Sequence, residues 1–221
     1  DFCANENPIR LANPIASHLS VMRSSLIPGL VGTLAANRKR QIDRVRVFEV
    51  ARVFERKADG EPVHGFHQVM NIAALAAGQV VPEQWGERAR NVDFYDVKGD
   101  LEALFAPRAL QFTPLSHPAL HPGRAAAVRL DGHMIGVLGE LHPVWVKRYE
   151  LGSAPVVFEV ALDAALAARL PAYAEISRMQ AVRRDLALVV GTDLPVARVL
   201  EVLRAAAPEI VREIARFDLY Q

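Results

Sequence analysis

Few residues in this chain combine a reactive type with a spacing that could do chemistry. Glu49 stands in a row of aliphatic residues, Val45, Val47, Ala51 and Val53. Either it is a buried carboxylate held by a partner, or it lies at a mouth that water or a ligand reaches. The segment Ser116–Arg124, SHPALHPGR, offers His117, His121 and Arg124. Two histidines four apart share a metal when a helix presents them on one face. Here Pro118 and Pro122 follow them directly, which disfavours that helix, and no Cys or nearby acid completes a ligand set. Gly132, Gly136 and Gly139 lack the spacing of a phosphate loop, and no Lys-Ser/Thr follows them. Arg178, Arg183 and Arg184 cluster near one predicted strand and are the best candidates for contact with a phosphate backbone, unless they pair with Asp185 and nearby acids.

The elements that must position these groups follow from periodicity. Ser25 is placed to cap a helix with Pro28 in its first turn, where a missing N–H costs nothing. Leu26, Leu30 and Leu34 recur at helical spacing, and Arg38-Lys39-Arg40 suit its C-terminal end. Arg44–Phe54 alternates as a strand. Its two rows are both substantially apolar, which predicts an interior position and makes Glu49 a structural buried acid. Lys57–Pro62 reads as a turn, Val69–Ala77 as a buried strand and Pro82–Arg90 as a loop carrying Trp85. Asp93 caps a helix through Phe105 with Val97, Leu101, Leu104 and Phe105 inward; its Lys98 reads as a surface residue. Asp131-Gly132 joins Ala125–Leu130 to His133–Leu141 as a type I′ hairpin. A short helix from Pro143, a strand Pro155–Val160 and a helix Ala164–Leu170 capped by Asp163 complete the first part. Beyond Pro171 the pattern is strand (Ala181–Val190), helix (from Asp193-Pro195) and strand (Ile210–Tyr220). This β-α-β of about 50 residues has too little core to stand alone.

Composition bounds the rest. The chain has 221 residues, half of them apolar, and a net charge of +1. No apolar run reaches the ~18 residues of a membrane span. The single Cys3 rules out an internal disulfide and fits a reducing compartment. Charge is uneven: Asn13–Arg56 holds eight Lys/Arg against three acids, enough to attract a polyanion if the cations share a surface. From Tyr173 onward seven Arg meet seven acids, leaving no net positive charge. The absence of an initial Met fits a fragment of a longer protein.

Several long motifs resemble one family in its own order. They are MRSSLIPGL (Met22–Leu30), VRVFEVARVF (Val45–Phe54), PEQWG (Pro82–Gly86), DFYDVKGDLEALF (Asp93–Phe105), HPALHPGRAA (His117–Ala126), GVLGELHP (Gly136–Pro143) and AVRRDLALVV (Ala181–Val190). Together they resemble the C-terminal region of the β subunit of bacterial phenylalanyl-tRNA synthetase. The one departure is Met179-Gln180, where Phe-Pro is more usual.

The resemblance implies an α+β chain of two domains. Residues 1–170 form a class II synthetase-like antiparallel sheet with flanking helices, catalytic in fold but not in activity. Residues 172–221 begin a ferredoxin-like anticodon-binding domain. A class II core grips ATP with arginines, one of them at the helix that follows a glycine-rich strand. In that place this chain has VVFEVALDAALAARL, with Glu159 and Asp163, which repel triphosphate. No catalytic, cofactor-binding or metal residue is therefore expected in the chain. ATP and Mg are expected for the whole enzyme, whose editing and magnesium sites lie upstream. Expected partners are a catalytic α subunit in an (αβ)₂ heterotetramer and tRNA, in the cytoplasm, with no membrane. The alternative is a free-standing RNA- or protein-binding module with a class II-like fold.

Overall fold

The computed structural model describes residues 2, 5, 7–167, 173 and 179–219. They form two units, Asp1–Leu170 and Pro171–Gln221.

The first unit is one antiparallel sheet between two helical layers. Strands β1 (Val45–Arg56), β2 (Pro62–Val63), β3 (Phe66–Ala77), β4 (Gln111–Pro114), β5 (Leu120–Leu130), β6 (His133–Leu141) and β7 (Val156–Ala161) take the order β1-β3-β7-β6-β5-β4, with β2 also on β3. β7 lies in the middle of that order, and its VVFEV run is buried on both faces. Period-two alternation sends Val157 to one layer and Val156, Phe158 and Val160 to the other. The first layer holds helix α1 (Ile27–Lys39), whose Leu26, Leu30 and Leu34 row packs on Val45, Val53, Ala73 and Leu75. The second holds helix α2 (Phe94–Phe105), with Val97, Leu101 and Phe105 against Val128, Leu138 and Phe158.

Local signals explain several ends. Asp93 accepts from the Tyr95 and Asp96 N–H groups, and Asp96 returns a bond to the Asp93 N–H, a complete capping box. Asp131 and Gly132 take φ of 51° and 82°, the left-handed pair a type I′ turn requires. Gly136 pairs with Val160, and a Cβ there would run into the Glu159 carbonyl. Short helix α3 (Pro143–Arg148) starts at Pro143, and its Trp145 stacks on Phe2 at 4.2 Å. Helix α4 (Leu162–Leu166) begins at Leu162, so Asp163 lies in its first turn and does not cap it.

β1 is not interior. Among the described residues it pairs only with β3 and forms an edge of the sheet, with Phe48 72% and Val50 41% exposed. Its second apolar row faces solvent, so two apolar faces did not imply two covered ones.

In the second unit, helix α5 (Val196–Ala206) turns Val199, Leu200 and Leu203 to its most sheltered side. The segments 181–190 and 211–219 are not paired as strands. In a split β-α-β arrangement a third strand lies between the first two. Among the described residues no such strand is present, so neither segment has a ladder partner.

Candidate functional site

An open cleft of about 740 Å³ lies where α1 begins, on the face of the sheet that α1 covers. Three elements build its polar floor. β7 brings Glu159, β3 brings Asn71, and the turn into α1 brings Ser25. The register decides this, because Asn71 and Glu159 lie two positions apart on adjacent strands and face the same way.

Glu159 is 7% exposed and fully engaged with neutral donors. Ser25 Oγ donates to its Oε2 at 2.5 Å, the Leu26 N–H donates to the same oxygen at 3.1 Å, and Asn71 Nδ2 donates to Oε1 at 2.7 Å. Ser25 Oγ also accepts the Ile27 N–H at 3.1 Å, but the N-cap position itself is Leu26, one residue later than expected, so Ser25 serves the first turn from outside the helix. The carboxylate thus sits on the positive end of α1, which stabilises a negative charge there. This is where an anion would otherwise dock on a helix N-terminus. A triphosphate reaching the α1 N-terminus would meet a fixed carboxylate there, and the one arginine lining the cleft among the described residues, Arg56, is exposed at the far end of β1. The residues present therefore do not fit ATP.

His117 lines the same cleft and is half buried. Burial pushes its pKa below the ordinary histidine value, with the Glu159 charge pulling partly the other way. Its Nδ1 accepts the Ala119 N–H at 3.2 Å, and His121 Nδ1 accepts the Gly123 N–H at 3.1 Å. Both rings thus serve the turns that contain them. Arg124 Nη1 donates to both carboxylate oxygens of Glu140, at 3.0 and 2.9 Å. Among the described residues no three His, Cys, Asp or Glu side chains gather as a metal site.

Glu49 does not belong to this cleft. It is not a buried acid: its side chain is 33% exposed on edge strand β1, and Arg23 Nη1 pairs with it at 2.5 Å. Arg23 also donates its Nε–H to the Arg52 carbonyl at 3.0 Å, so the pair straps the lower part of β1. Arg38 and Arg46 of the same basic stretch are taken by Asp43 and Asp100. Lys98 pairs with Glu102 at 2.5 Å and lies over the Phe112 ring. Arg178 falls outside the described residues. Arg183 stands 3.4 Å from Asp185 and over the Phe217 ring at 5.2 Å, and Arg184 donates to the Arg183 carbonyl at 3.2 Å. Both remain exposed.

The buried tie of Glu159 was not foreseen, although its signal was present. A single carboxylate interrupts the apolar VVFEVA run, the pattern that drew notice at Glu49.

Comparison with known proteins places the chain in a family. Residues 2–162 match the family model described as the phenylalanyl tRNA synthetase beta chain CLM domain. Residues 177–221 match the ferredoxin-fold anticodon binding domain. A phenylalanine–tRNA ligase beta subunit from Aromatoleum aromaticum is 69% identical over 220 residues, 100% of this chain and 28% of that protein. The one from Dechloromonas aromatica is 54% identical over 212 residues, 96% of this chain and 27% of the relative. The chain therefore spans about 28% of the length of such relatives. Among solved structures, a pyrrolysyl tRNA synthetase from Desulfitobacterium hafniense superposes with a TM-score of 0.50 at 13% identity, over 72% of this chain and 51% of that one. At that identity the likeness shows the fold alone, a class II synthetase-like antiparallel sheet. With a family model covering Phe2–Leu162 and a second covering 177–221, the chain belongs to the phenylalanyl-tRNA synthetase beta-chain family, in its CLM and anticodon-binding domains.

Proposed function

We propose that this chain is the non-catalytic C-terminal part of a phenylalanine–tRNA ligase β subunit. It holds the catalytic α subunit of an (αβ)₂ assembly and contributes to tRNA binding, while ATP and Mg are used elsewhere in the cytoplasmic enzyme. The observation that carries the reading is Glu159. A class II-like sheet with a buried carboxylate tied to Ser25, Leu26 and Asn71 at its helix N-terminus keeps the fold and excludes a triphosphate. What remains for such a domain is to present surface to a partner that performs the chemistry. In the second unit, exposed Arg183 and Arg184 supply cations for a phosphate backbone, with Arg178 the third candidate.

Two measurements test this. Mixed with a matching α subunit, the chain co-elutes with it on size exclusion; separate elution would refute the scaffold role. Calorimetry with ATP and Mg gives no binding to the chain alone, and saturable binding would favour an independent enzyme. Salt-sensitive binding to unrelated RNA as tight as to tRNA would favour a general RNA-binding module.

A further inference from the structure

The first unit ends on a helix that cannot hold itself. Helix α4 has five residues, no side-chain cap at its start and no fully buried residue. A single turn of helix is unstable alone in water, and its last carbonyls need partners. Arg108 supplies them. Its Nη1 donates to the Ala164 carbonyl at 2.8 Å and to the Ala167 carbonyl at 3.1 Å. A cation is favoured at this end of a helix. Nη2 of the same guanidinium lies 3.5 Å from Asp131 in the β5–β6 turn. The Arg108 N–H bonds the Phe105 carbonyl at the end of α2, at 2.9 Å. The side chain is 18% exposed, so it is largely covered where these three elements meet. Neither Ala164 nor Ala167 belongs to the buried core, so the bonds restrain the exit of the chain rather than the sheet.

The second unit begins at Pro171, four residues after Ala167 in the chain. We propose that Arg108 is a positioning residue for tRNA: it fixes the point from which the anticodon-binding domain departs, and so keeps that domain concentrated at a tRNA held by the rest of the enzyme. The inference rests on the proposed tRNA contact of the second unit. A module joined to a body that grips the same ligand binds in an intramolecular step. Its effective concentration falls roughly as the −3/2 power of the length of the connection. With Arg108 in place, four residues separate the last held carbonyl, at Ala167, from Pro171. Without it the single turn of α4 frays, and nine residues separate Leu162 from Pro171. That lengthening lowers the effective concentration about threefold.

Steady-state aminoacylation by the assembled full-length enzyme tests the proposal. Arg108→Met keeps an apolar stem under the same cover and removes the donors. It raises KM for tRNA about threefold and leaves kcat, pyrophosphate exchange and the KM values for phenylalanine and ATP unchanged. In the same variant amide exchange speeds up at Ala167, whose N–H bonds the Asp163 carbonyl at 3.0 Å. Faster exchange with an unchanged KM for tRNA would confine Arg108 to a structural role and overturn the proposal. An equal rise in all three KM values, or slower pyrophosphate exchange, would overturn it too, as damage to the whole assembly. Inserting about five Gly/Ser residues after Ala167 lengthens the same connection with Arg108 intact, so it gives an answer even where Arg108→Met folds poorly. It raises KM for tRNA by a similar factor, and no change would overturn the proposal. Arg183→Ala/Arg184→Ala separates the two readings. A raised KM for tRNA in that variant, with none in Arg108→Met, would overturn this proposal and leave the tRNA contact standing. No rise in either would overturn both.

Discussion

Replacing Glu159 tests the structural argument most directly, with Glu49 as its control. In Glu159→Ala the Ser25 hydroxyl, the Leu26 N–H and the Asn71 amide all lose their acceptor. A buried donor left unpaired costs about 1–3 kcal/mol, and bonds to a charged acceptor are the stronger kind. Asn71 is only partly buried and regains water from the cleft, so two donors carry most of the loss. The expected destabilisation is about 3 kcal/mol or more, a large share of a domain's stability. Glu159→Gln falls in between, because the Asn71 amide can turn to accept the new N–H while the carbonyl keeps Ser25 and Leu26. Glu49→Ala removes a half-exposed pair with Arg23, worth about 0.2–1 kcal/mol. Urea unfolding followed by tryptophan fluorescence reads the first unit, since Trp145 is stacked on Phe2 and Trp85 is fully exposed throughout. Equal losses for Glu159→Ala and Glu49→Ala would refute the distinction drawn between the two carboxylates. Greater loss at Glu49 would place the buried tie on the wrong strand.

Two further substitutions probe the frame. Asp93→Ala removes the cap of α2 and is expected to lower stability by about 1 kcal/mol, read in the same urea titration. Its neighbour Asp96 is held down to about 2, first by the side-chain bond to Arg90. A depressed carboxylate stabilises fully above its unfolded value. That contribution fades as pH falls from about 4 through about 2, and it is weaker in Arg90→Ala. Gly136→Ala drives a methyl into the Glu159 carbonyl and Val160, and overpacking of this kind costs about 1–3 kcal/mol. An unchanged midpoint for Gly136→Ala would mean that β6 and β7 are less closely apposed than their register indicates.

Much was legible from local pattern, because local physics decides it. The cap at Asp93, the Leu26-Leu30-Leu34 stripe and the Asp131-Gly132 turn depend on residues a few positions apart. Family membership was legible too, from long motifs in a fixed order. The partners of the carboxylates were not. The tetrapeptide Val-Phe-Glu-Val occurs twice, at 47–50 and at 157–160. In the first copy Phe48 is 72% exposed, and in the second Phe158 is 5% exposed. Nothing within either copy separates them, since strand position is set by pairing between segments distant in sequence. β7 lies between β3 and β6 with helices on both faces, so its glutamate is buried and must be tied to Ser25, Leu26 and Asn71. Among the described residues β1 has one neighbour, so its glutamate reaches the rim and takes an exposed arginine. The sequence alone determined that two strands would each carry a carboxylate among apolar residues; the order of strands in the sheet decided which of them closes the cleft.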